Sequence, residues 1–164
     1  MHHRSAAVYD RFLANLATLL TKAEAHCTAK TIKPEAMLTF RLFPDMFPFV
    51  KQVQLSCDFA ARACARLAGE EPKSFPDTET TFADLQTRIA AARGYIAGFD
   101  PSAFDGAEGR DITIKMRGQE VTMKGEVFLN LYSLPQFYFH IATAYNILRH
   151  NGVEVGKGDY MGAA

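Results

Sequence analysis

His140 is the residue best placed for chemistry. It is the only histidine in the apolar and aromatic run 134–148, and it shares a helical stripe with Thr143, Ala144 and Ile147. A metal site between helices usually takes a second histidine one turn along and a further ligand from a facing helix. Here the i+4 position is Ala144, the i+3 position is Thr143, and the segment 48–69 expected to face it has no histidine at all. The polar residues nearest that segment's inward face are Gln54 and, more peripherally, Asp58. Glutamine is a poor ligand for Zn or Ni. The spacing therefore reads as a buried histidine satisfied by hydrogen bonds, with metal-free ligand binding and metal ligation as the sharper alternatives. A small-molecule pocket lined by Gln54, Asp58, His140 and Tyr145 is the expected site. No catalytic residue, metal or cofactor is assigned.

Other chemistry-bearing patterns are incomplete. The tail Gly152-Val-Glu-Val-Gly156-Lys157 is one residue short of a phosphate-binding loop, has Gly158 where Ser or Thr is needed, and follows a helix instead of a strand. There is no Gly-x-Ser-x-Gly elbow for a serine hydrolase. His150 reads as a helix-end cation, and Asp45 as an N-cap. Tyr138 and Tyr145 read as aromatics at the core's rim. Glu70, Glu71 and Glu79 read as solvated charges. Cys27, Cys57 and Cys64 read as reduced, buried thiols of a cytoplasmic protein. Cys57 and Cys64 would lie about 10 Å apart on a helix, beyond the roughly 7 Å limit for a bridge.

Four long helices are expected to position these residues. The first runs from Ser5 as N-cap to about Cys27, with Leu13, Leu16, Leu19, Leu20 and Ala23 at helical spacing. Pro34 can open a short helix. The second long helix starts with Asp45 as cap and Pro48 in its first turn and stops at Gly69. Glu70 to Pro76 is a linker, and the third helix carries Phe82, Leu85, Ile89, Ala92 and Ile96 inward. Residues 111–124 alternate apolar and polar on both sides of Arg117-Gly118, the signal of a β-hairpin with Ile112, Ile114, Met116, Val121 and Met123 on one face. Helix resumes at Glu126, a break is expected near Pro135 with Ser133 as a new N-cap, and the last helix ends at Gly152. The expected fold is all-α, a four-helix bundle with a β-hairpin inserted before the last helix, in a single domain 1–164.

The bulk composition excludes several classes. Eighteen basic and eighteen acidic residues cancel, so no basic stripe for nucleic acid is expected. No segment approaches the roughly 20 apolar residues of a membrane span, and no apolar leader follows Met1. A last helix apolar almost all the way round needs more cover than three helices give, which points to a homodimer.

Several segments, taken in order, carry a resemblance: Arg41-Leu-Phe-Pro-Asp45-Met-Phe-Pro48, Gln52-Val-Gln54 with Asp58, Ala65-Arg-Leu-Ala-Gly69, and Phe139-His140 through Thr143-Ala-Tyr145 to Gly152. The ending Gly156-Lys157 with Asp159-Tyr160-Met-Gly162 completes the set. Over about Val8 to Gly162 the chain resembles a bacterial and fungal family of unknown function within the DinB/YfiT-like metalloenzyme superfamily. That resemblance implies an up-down-down-up bundle, commonly dimeric. It also implies a divalent metal on three histidines, one from the second helix and two from the last, used in some members to activate a thiol cofactor. Only His140 has a counterpart here. Ala144 and Gln52 or Gln54 stand at the other two positions. The expectation is a dimeric module that binds a small ligand or a partner and lacks the three-histidine site. The alternatives are a divalent-metal-dependent enzyme of the thiol-transferase or isomerase kind using His140, and a purely structural dimer.

Overall fold

The computed structural model describes residues 1–162; Ala163 and Ala164, the end of the expected 1–164 domain, lie outside the described residues. The molecule is mostly helical with one small antiparallel hairpin. Helix α1 spans Ala6–Ala29 and buries Leu13, Leu16, Leu19, Leu20 and Ala23 on the stripe their spacing predicts. Ser5 stands at its N-cap position, but its hydroxyl turns back to the carbonyls of Met1 and His2 and caps no helix amide. Pro34 opens the short α2, Pro34–Leu38.

Helix α3 spans Phe49–Ala68 and starts one residue after Pro48, with no side chain capping it. Asp45 instead lies exposed in a turn before it, so the expected cap is absent. The helix ends where Gly69 takes a left-handed conformation, φ +83°, which costs a glycine little. Helix α4, Phe82–Ala97, opens on a reciprocal capping box between Thr81 and Asp84.

Strands β1, Asp111–Met116, and β2, Gln119–Lys124, pair in the register Ile112↔Met123 and Ile114↔Val121. Both turn residues, Arg117 and Gly118, have positive φ, as a tight two-residue hairpin turn requires. Ile112 and Ile114 are buried on the helical core, which is how a lone hairpin is stabilised.

The last long element departs from the expected break at Pro135. The backbone stays right-handed helical from α5, Gly125–Val127, through a π-helical turn, Phe128–Ser133, into α6, Leu134–His150. Proline offers no amide to the preceding turn, and the wider π turn absorbs that loss without ending the helix. Ser133 is therefore not a cap. It is buried and shares a 2.8 Å hydrogen bond with the Tyr9 hydroxyl. A short α7, Lys157–Met161, follows, with Asp159 accepting from the Gly156 amide.

Side-chain pairs fix the helix directions. Asp10 meets Arg93, and the Ala17 carbonyl accepts from Gln86, so α1 and α4 run antiparallel. Lys51 meets Asp77, Gln54 meets Glu79 and Asp58 meets Arg88, so α3 and the strap-plus-α4 segment run parallel. Gln52 meets His140 and Phe59 packs on Tyr132, so α6 and the π turn run antiparallel to α3. Tyr9 meets Ser133, and Phe12 packs on Tyr138, which sets α6 parallel to α1. No helix among the described residues is long and apolar enough to cross a membrane.

Candidate functional site

Residues two apart on a helix point to nearly opposite sides, and this separates Gln52 from Gln54. Gln52 faces α6: its Oε1 lies 2.8 Å from His140 Nδ1, and its Nε2 donates to the Phe47 carbonyl at 3.0 Å. A backbone carbonyl only accepts, so the Gln52 amide is oriented with Oε1 toward the ring. Nδ1 must then carry the proton, and Nε2 is left as a lone-pair acceptor. Nε2 makes no hydrogen bond among the described residues but is open to solvent; the one buried side-chain nitrogen or oxygen among them without a partner is Arg88 Nε.

The His140 ring stacks on Phe59 at 5.5 Å and meets the edge of Phe139 at 5.3 Å. The side chain is buried. Burial, with the Lys51 charge adding to it, pulls the imidazole pKa from 6.5 down to about 4. The ring is neutral at physiological pH.

Gln54 faces the other way and donates to Glu79 at 2.8 Å. Glu79 and Asp58 are both held by Arg88, whose guanidinium sits 2.9 Å and 2.5 Å from their carboxylates. Arg88 also donates to the Pro76 carbonyl and lies under the Phe75 ring, 5.0 Å from its centroid. Its side chain is only 2% exposed. Burial alone would lower the guanidinium pKa, but Asp58 and Glu79 outweigh it and hold the pKa above its ordinary value. Glu79 is thus a buried partner and not the solvated charge that its place in the sequence suggests. Arg88 carried a legible signal: it falls three residues after Leu85 and four before Ala92, on the buried stripe of α4. A base on such a stripe requires acidic partners.

Tyr145 is half-buried and packs edge-on to Tyr160 of α7, at 5.9 Å. The structure therefore brings Gln54 and Asp58 together around Arg88. His140 engages Gln52, and Tyr145 engages the tail. No hydrogen bond joins His140 or Tyr145 to Gln54 or Asp58 among the described residues. His140's true partner, Gln52, stands one turn before Ser56 and a half-turn from Gln54; only the relative rotation of α3 and α6 decides between the two glutamines.

The thiols are inert by position. Cys57 and Cys64 are fully buried, burial pushing Cys57 up to about 12 and Cys64 further still.

This helical fold with a small hairpin is that of DinB-like proteins. It matches the crystal structure of a DinB family member protein from Shewanella denitrificans with a TM-score of 0.94 and 39% identity, over 99% of this chain and 92% of that one. The chain belongs to the family described as a domain of unknown function, DUF1993, whose model matches residues 1–161. No curated protein matches it.

The three-histidine metal implied by the superfamily does not fit these side chains. His140 Nδ1 is committed to Gln52, Ala144 holds the next turn, and α3 offers amides where imidazole would be needed. Among the described residues no group of three or more His, Cys, Asp or Glu could hold an ion.

Proposed function

We propose that the chain is a homodimeric, cytoplasmic helical module that binds a small ligand or a partner without the superfamily's metal chemistry, and that α1, α3, α4 and α6 form an up-down-down-up bundle. The directions set by the Asp10–Arg93, Asp58–Arg88, Gln52–His140 and Tyr9–Ser133 pairs support that topology.

The observation that carries the binding role is the apolar face between α3 and α6. Leu131 is 76% exposed, Phe139 55% and Phe47 53%. A π turn advances fewer degrees per residue than an α turn. Leu131 and Phe139, eight residues apart, therefore lie closer to one stripe than an unbroken α-helix would place them. Phe47, whose backbone carbonyl accepts from Gln52, is a further exposed aromatic just before α3. Phe47 and Phe139, aromatic side chains of roughly 150–250 Å² each, are about half exposed, and with Leu131 they leave a few hundred Å² of apolar surface, the size of the largest and often functional patch on a monomer. A two-fold interface uses one patch on both copies, and a patch of this size and low charge suits it.

Sedimentation equilibrium tests the dimer. The wild type is expected at twice the monomer mass, and Leu131→Asp or Phe139→Asp at the monomer mass with helicity retained. A monomeric wild type at tens of micromolar would remove the dimer from this reading.

A further inference from the structure

We infer that the strap between α3 and α4, residues 70–80, occupies a peptide site in its own protein, and that the ligand able to replace it is an extended acidic peptide with the pattern aromatic-x-acid-x-acid. Alternate residues of the strap meet one seat. The Arg88 guanidinium lies 5.0 Å from the Phe75 ring centroid, and Asp77 pairs with Lys51 and stands 3.4 Å from Arg88. Glu79 pairs with Arg88 at 2.9 Å and accepts from Gln54 at 2.8 Å. Residues two apart share one side of an extended chain, and a groove that reads a bound peptide takes alternate side chains in the same way. The seat, made by Lys51, Gln54, Asp58, Arg62 and Arg88, stands wholly on α3 and α4.

The strap's hold is polar and local. Among the described residues, 71–80 make no backbone-to-backbone hydrogen bond, and the strap buries no apolar side chain. A segment with few buried apolar contacts opens at a far lower free energy than the core, so it can lift while the bundle stays folded. The fit is also imperfect. Arg88 Nε is closed to water and has no partner, which is costly for a buried donor. A groove of about 280 Å³ stays unfilled between the strap and α4, lined by Phe75, Pro76, Glu79, Thr87 and Arg88. With the strap lifted, Lys51, Arg62 and Arg88 face Asp58 alone, three cations against one carboxylate. Asp77 and Glu79 supply the two missing negative charges, and a ligand that displaces them must carry the same pair. A tethered segment acts at an effective concentration of order millimolar, so the strap is that ligand's built-in competitor. The α3–α6 face takes no part in this site, and the dimer stands or falls separately.

The test uses full-length protein labelled with ¹⁵N-arginine, with a free peptide of the strap sequence, residues 72–81, as the probe. In Asp77→Asn/Glu79→Gln the Arg88 Nε–H should exchange with water at least about tenfold faster than in wild type, the worth of a charged hydrogen bond. The amides of α1 and α6 should keep their protection. Added to this variant, the peptide should shift the Arg88 signal saturably and slow its exchange again. Wild type, its seat filled by the strap, should bind the peptide at least about tenfold more weakly. The same peptide with Asn and Gln in place of its two acids should also bind about tenfold more weakly. Phe75→Ser, which keeps both carboxylates, repeats both readouts if the double variant loses its helical circular dichroism. An Nε–H as protected in the variant as in wild type, α1 and α6 amides that loosen together with it, no saturable shift at millimolar peptide, or equal affinity for the amide-substituted peptide would each overturn the proposal.

Discussion

Gln52 spans the gap between α3 and α6 with both ends of its amide, one on His140 Nδ1 at 2.8 Å and the other on the Phe47 carbonyl at 3.0 Å. One side chain thereby sets the tautomer of the histidine and ties the entry of α3 to α6. Breaking either bond leaves a buried polar atom unpaired.

Stability should depend on pH through His140. Its folded-state pKa, about 4, lies below the value near 6.5 in the unfolded chain. Between those values only the unfolded chain binds the proton, so stability is complete above about pH 6.5 and falls as pH drops toward 4. The loss reaches about 3 kcal/mol at the low end. Urea unfolding of wild type and His140→Gln from pH 7 to 4 checks this: the variant should lose most of the slope in that window. Parallel slopes would contradict the buried, neutral ring.

The Arg88 cluster gives a second expectation. Asp58→Asn removes one carboxylate from a guanidinium that is 2% exposed, and breaking a buried pair costs about 3–5 kcal/mol. The strap before α4 is held through Pro76, Asp77 and Glu79. Arg88→Met should therefore free it, and limited proteolysis should cut between residues 70 and 80 first. Wild-type resistance in the variant would show that the Lys51–Asp77 and Gln54–Glu79 contacts hold the strap without Arg88.

Gly125 marks a close approach. A Cβ there would strike the Ala107 carbonyl, backbone that cannot rotate away, while the Gly125 amide donates to the Arg110 carbonyl at 2.8 Å. Gly125→Ala should cost about 1–3 kcal/mol, the usual range for overpacking, measured by thermal or urea unfolding. Gly156→Ala, at an ordinary φ of −135° and with no atom within 4 Å of the new carbon, is the control for the added carbon without the clash.

The thiols should be silent in the folded state. Cys27, Cys57 and Cys64 are all buried, with pKa values raised chiefly by burial. A thiol-reactive dye at pH 8 should label none of them quickly in native protein and all of them in urea. Rapid native labelling of Cys57 or Cys64 would contradict the packing of α3.

Much of this architecture is legible in residue order, because the inward stripes of α1, α3 and α4 obey helical spacing and the hairpin obeys alternation. The caps are not. Ser5, Asp45 and Ser133 are good capping residues by type, yet Ser5 turns back to the carbonyls of Met1 and His2, Asp45 lies exposed in a turn, and Ser133 is drawn off by a tertiary contact with Tyr9. Pro135 signals a break that the π turn avoids, and no periodicity announces such a turn. His140 is readable as a buried, hydrogen-bonded histidine. Its choice of Gln52 over Gln54 depends on how two helices are rotated, which one helix's sequence cannot encode.

The account turns on His140 being a hydrogen-bonding residue held by Gln52. Elemental analysis of protein purified without a histidine tag, wild type beside His140→Ala, tests it most directly. The expected result is no divalent transition metal near one equivalent in either protein. Near-stoichiometric Zn, Ni, Mn or Fe in the wild type, lost in His140→Ala, would contradict it and place a metal on that ring.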